Sequence, residues 1–100
     1  MKITNKTTDQ NPFKVCVYLK DDPGIVPIET GVFYVNNQPG NNEAIWSPPP
    51  SVADRMFHVK IFHPQFLDAF LCETTADKNT AGVVTGSNGR YEIRVKELVS

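Results

Sequence analysis

His58 and His63 are the chain's imidazoles and Cys16 and Cys72 its thiols, so metal or nucleophilic chemistry would have to be assembled from these four side chains and nearby carboxylates. In an extended strand successive side chains alternate faces, and the odd interval between the two histidines sends them to opposite sides. They do not share a metal there. Cys16, Cys72, Asp54, Asp68 and Glu73 show none of the spacings through which zinc is usually held. A Cys-His-Asp set can be drawn from Cys72, His63 and Asp68, because such groups meet in space rather than in sequence. The context for it is missing: the chain has no nucleophile elbow, no glycine loop leading into a helix and no helix start suited to an anion.

Two further groups invite chemistry and have plainer explanations. Asp21 and Asp22 stand beside Pro23 and Gly24 and could offer carboxylates to calcium, joined by Asp54 or Asp77 from other loops. They lack the alternating oxygen ligands of a dedicated calcium loop, so a solvated turn accounts for them. Cys16 shares a strand face with Lys14, Tyr18 and Lys20, cations that could lower its pKa. An inert, reduced thiol is the commoner role of such a cysteine. The expectation is therefore a protein that is not an enzyme, with no catalytic residues, no metal site and no cofactor.

The residues that could recognise something are aromatic and amide side chains. Tyr34 and Trp46 lie on two candidate strands, 31–35 and 43–47, joined by residues 36–42, where Asn36, Asn37, Asn41 and Asn42 accompany Gln38, Pro39 and Gly40. An exposed ring stacks on a sugar or anchors a protein partner, and amides beside it donate and accept hydrogen bonds adaptably. Trp46 has two readings, an exposed contact residue or a plug closing one end of the fold. The candidate ligand-binding set is Tyr34, Asn36, Asn37, Asn41, Asn42 and Trp46.

These side chains must be held by strands, because alternation of apolar and polar residues recurs and no long 3.6-residue period competes with it. Residues 13–20 put Phe13, Val15, Val17 and Leu19 on one face; residues 57–62 are apolar on both faces and belong in the middle of a sheet. Residues 90–97 turn Tyr91, Ile93 and Val95 inward and Arg90, Glu92, Arg94 and Lys96 outward, after residues 80–85 and a turn containing Gly86, Ser87, Asn88 and Gly89. The segments 31–35 and 43–47 read as a hairpin with a long polar tip. Residues 21–24 form a turn, and Pro48, Pro49 and Pro50 lie outside any central strand. Residues 64–72 suit a helical turn or a strand about equally, and Ser51 to Asp54 loosely match a capping box.

Six to eight short strands make an all-β fold, a small antiparallel β-sandwich with at most one or two helical turns. Their number and spacing suit an immunoglobulin-like or jelly-roll-like arrangement, and a small β-barrel is the alternative closure. The chain has 100 residues and a formal charge of −1, which predicts one domain over 1–100 and gives no electrostatic footprint for nucleic acid or an anionic membrane. No apolar run approaches the length needed to span a bilayer, and the first eight residues lack the apolar stretch of an export signal, so a soluble, cytoplasmic protein is expected. The function that follows is a non-enzymatic binding module recognising a protein partner, a second copy of itself included, through loops at one end of the sandwich. Carbohydrate recognition is the alternative partner class, and a small thiol- or metal-dependent enzyme the alternative of a different kind.

Overall fold

A computed structural model of the chain describes residues 1–8, 12–21, 27–28, 31–63, 69–87 and 90–97. Eight strands run in chain order: β1 (Lys2–Thr7), β2 (Phe13–Leu19), β3 (Val32–Val35), β4 (Glu43–Ile45), β5 (Phe57–His63), β6 (Ala69–Ala76), β7 (Thr80–Ser87) and β8 (Arg90–Glu97). A 3-10 turn over Pro50–Val52 is the one helical element among the described residues. The strands form two four-stranded sheets, ordered β4-β1-β7-β8 and β3-β2-β5-β6. The architecture is the expected β-sandwich. Among the described residues both sheets keep distinct edge strands, the arrangement of a sandwich rather than a closed barrel.

The core follows from the alternation. Phe13, Val15 and Val17 of β2 and Phe57, Val59 and Ile61 of β5 are completely or almost completely buried, and they meet Ile3 of β1 and Val84 of β7 from the other sheet. Each such side chain contributes about 1.5–3 kcal/mol on leaving water. Their partners in sequence face outward, and the direct pairing of Cys16 with Lys60 and of Tyr18 with His58 puts these four on the outer face of the second sheet.

One expectation is corrected, and two further features of the pairing are not legible in the sequence. Segments 31–35 and 43–47 are not a hairpin: β3 pairs with β2 and β4 with β1, so residues 36–42 cross from one sheet to the other. The sandwich is also not wholly antiparallel, because β1 lies parallel to β7 from Lys2↔Ala81 to Thr7↔Gly86. Finally, β1 itself carries no strong sequence signal. Its interior positions are Ile3, Asn5 and Thr7, of which Ile3 alone is apolar, yet it is central in its sheet.

Other segments fall as read or outside the description. β7 and β8 form the expected hairpin, from Thr80↔Glu97 to Ser87↔Arg90, although Val95 remains 43% exposed because β8 is an edge strand. The one-turn helix begins at Pro50, with Pro49 as its cap and no side-chain capping bond, so Ser51 is not the cap. Residues 69–76 are strand rather than helix. The turn at residues 22–24, the possible helical residues 64–68 with Asp68, and the turn residues Asn88 and Gly89 lie outside the described residues.

Candidate functional site

The two ends of the sandwich are built differently. At the end where β1 starts, Trp46 follows β4 and turns inward; it is 6% exposed and meets the Phe57 ring edge-on, with centroids 5.3 Å apart and planes at 88°. The backbone holds it there. Trp46 N–H donates to the Met1 carbonyl at 2.8 Å, and the Met1 ammonium donates to the Trp46 carbonyl at 3.0 Å and to the Lys78 carbonyl at 2.6 Å. Trp46 is thus a plug in the core, and its place in the candidate contact set is corrected: a ring so covered offers no face to a ligand. Around it, Arg55 pairs with Asp21 at 2.9 Å and Lys78 with Asp54 at 2.7 Å. Lys78 holds the Asp54 carboxyl below its ordinary range, chiefly through that hydrogen bond. Asp77 Oδ1 accepts from the Asn79 amide at 2.8 Å and the Thr80 hydroxyl at 3.1 Å. Each described aspartate once considered for calcium is therefore committed to a partner of its own.

At the opposite end, residues 36–42 make a tight crossing. Gln38 and Asn41 bridge each other across Pro39 and Gly40, with the Asn41 amide donating to the Gln38 carbonyl at 2.8 Å. Gly40 has φ +76°, the left-handed value that a type II turn with proline before it requires, and one that glycine adopts without steric cost. Asn37 Nδ2 donates to the Thr7 carbonyl at 2.7 Å and the Thr7 hydroxyl at 3.1 Å, while Asn42 Nδ2 donates to the Asn5 carbonyl at 3.3 Å. The Asn5 amide in turn donates to the Asn42 carbonyl at 2.8 Å. Two of the four candidate asparagines therefore tie the crossing to β1. Asn36 and Asn41 are exposed.

A shallow depression of about 540 Å3 lies between this crossing and the end of β1, lined by Thr7, Thr8, Asn37, Gln38, Pro39, Gly40 and Asn42. Two of the three amide side chains that line it, those of Asn37 and Asn42, are already bonded to β1. The exposed candidate ring lies instead on β3, where Tyr34 is 59% and Val32 43% exposed while the alternating Val35 is buried. Asn36 follows Tyr34 by two residues and is exposed as well. Tyr34 and Asn36 are thus both exposed, Asn41 stays at the turn, and Trp46 is enclosed at the far end. Val32 and the 79% exposed Ile45 were missed in the sequence, although the alternation that singled out Tyr34 also points to Val32.

The groups that could do chemistry divide between the two faces of the second sheet. On the outer face His58 Nε2 and Glu73 Oε2 are 3.1 Å apart, and Lys60 Nζ stands 5.2 Å from the Tyr18 ring centre. Burial first, then the adjacent Cys16, raises the Tyr18 phenol above its ordinary value. Cys72 pairs with Ile61 and His63 is buried in the alternation of Phe57, Val59 and Ile61, so both lie on the inner face. Burial alone pushes the Cys72 thiol up to about 11, which keeps it protonated, the opposite of an activated nucleophile. No disulfide joins Cys16 and Cys72, which lie on opposite faces of the sheet. Among the described residues no three His, Cys, Asp or Glu side chains gather to hold a metal, and no helix is long and apolar enough to cross a membrane.

Comparison with known protein families, characterised proteins and solved structures finds no significant match.

Proposed function

We propose that this domain is a non-enzymatic binding module that recognises a protein partner through the β3 edge and the adjoining residues 36–42. The observation that carries the reading is the contrast between edge strands. β3 holds no charged residue and exposes Val32 and Tyr34, whereas β8 presents Arg90, Glu92, Arg94, Lys96 and Glu97. Charged edges resist pairing with other chains, and an uncharged apolar edge invites it. The crossing beside β3 is already tied down by Asn37 and Asn42, so docking would cost little loop ordering.

Carbohydrate recognition would use the same Tyr34 ring as a stacking platform with Asn36 beside it. It is the weaker reading, because Asn37 and Asn42 have their amide donors engaged with β1. A photo-crosslinking residue at position 34, compared with the same residue at position 92, tests both. Protein adducts from position 34 alone support the proposal. Equal labelling from the two positions, or none from either, overturns it, and loss of the adduct on adding oligosaccharide transfers the site to the sugar reading.

A further inference from the structure

Resting on that reading, we infer that the partner which fits the β3 edge is a second copy of this chain, paired antiparallel through β3 about a twofold axis at Phe33.

The hydrogen-bond phase of the ladder decides which backbone groups are available. Val17 N–H donates to the Gly31 carbonyl at 2.8 Å, so Val17 turns its polar groups toward β3. Alternation then turns those of Val15 and Phe13 the same way, toward their partners Phe33 and Val35. The opposite side of β2 agrees, since Lys20 N–H donates to the Met56 carbonyl on the β5 side at 3.1 Å. The N–H and C=O groups of Val32 and Tyr34 consequently point away from β2. No strand among the described residues lies beyond them.

The short sequence Val32-Phe33-Tyr34 complements itself in that geometry. With the axis at Phe33, Val32 and the partner's Tyr34 exchange both of their backbone hydrogen bonds, and the symmetric pair does the same. On the outer face a β-branched side chain then lies against an aromatic ring, a favourable cross-strand pair. On the inner face Phe33, only partly buried in the monomer, meets the partner's Phe33 at the close spacing of a non-hydrogen-bonded pair. No charge opposes a like charge, because β3 carries none. The other edges are poorer templates: β4 has three residues including Glu43, β6 carries Glu73, and β8 is charged along its length.

A four-residue edge buries a small area, which places the dissociation constant at about 1 μM to 1 mM. Sedimentation velocity across that range should show the sedimentation coefficient rising from monomer to dimer. A Val32→Glu chain and a Tyr34→Lys chain should each dimerise at least about tenfold more weakly, a loss of about 1.4 kcal/mol. Mixed together they should recover association, since this register places the new carboxylate against the new ammonium. Amide proton exchange at Val32 and Tyr34 should slow with concentration in the unaltered chain, and circular dichroism checks that both variants keep their strands. A chain that stays monomeric to about 1 mM, or a mixture no more associated than its components, overturns the inference. The crosslinker at position 34 separates the two proposals. An adduct of twice the chain mass supports self-pairing; an adduct with a different protein from a monomeric chain overturns self-pairing and leaves protein recognition standing; no adduct overturns both.

Discussion

Asn5, which has no exposed surface, donates from Nδ2 to the Val35 carbonyl at 3.2 Å and so ties the central strand of one sheet to an edge strand of the other. Its Oδ1 accepts from the Thr7 amide at 3.1 Å and the Thr7 hydroxyl at 2.7 Å. A polar side chain inside a sandwich is tolerated only when its groups are bonded in this way. Asn5→Ala leaves the Val35 carbonyl and the Thr7 donors without it. Urea denaturation should show a loss of about 2–3 kcal/mol, the usual penalty for stranding buried polar groups.

Trp46 and Tyr34 should part company on truncation. Trp46→Ala empties a ring from the core beside Phe57 and should cost about 3–5 kcal/mol, whereas Tyr34→Ala removes an exposed ring and should stay within about 0.5 kcal/mol. Thermal unfolding of the two variants checks this. Trp46→Ala with unaltered stability would return that ring to the surface.

Gly40 and Gly86 both have positive φ, +76° and +117°, but their surroundings differ. A Cβ at Gly40 meets open space, whereas one at Gly86 collides with the Arg90 carbonyl across the β7–β8 hairpin. Gly40→Ala should therefore cost about 1 kcal/mol, the left-handed penalty alone. Gly86→Ala should exceed about 2 kcal/mol, because the hairpin must also move. Chemical denaturation midpoints order the two.

Cys72 makes stability depend on alkaline pH with a definite sign. Its thiol titrates at about 11 in the folded chain against an ordinary 9.0, so the native state retains a proton that the unfolded state releases between those values. Its contribution is complete below pH 9 and is lost as pH rises toward 11. Denaturation at about pH 8 and about pH 10.5 should show a smaller alkaline loss in Cys72→Ala than in the unaltered chain. Disulfide reagents should label Cys72 slowly near neutral pH until the chain is unfolded.

Alternation made β2, β5 and the β7–β8 hairpin legible from the amino-acid order, because a half-buried strand writes its two faces into every second residue. Phe13, Val15 and Val17 and their counterparts Phe57, Val59 and Ile61 announce the core without any structure. β1 was not legible: Asn5 and Thr7 look like solvent-facing residues until the Val35 carbonyl is found above them. The same limit applies to the candidate site. Asn37 and Asn42 read as free amides, and only their bonds to Thr7 and Asn5 reveal them as staples.

What the sequence alone determined is local: strand periodicity, the turn-forming character of residues 36–42, and the balance of charge. What the tertiary structure decided is which strands are neighbours, that β3 and β4 enter different sheets, that Trp46 is enclosed while Tyr34 is open, and that His63 and Cys72 share the inner face of their sheet while His58 and Cys16 share the outer one. The division has a physical cause. Periodicity and turn chemistry arise from residues a few positions apart, whereas exposure and hydrogen-bond partnership depend on chain segments brought together from far along the sequence, as Met1 is with Trp46 and Lys78.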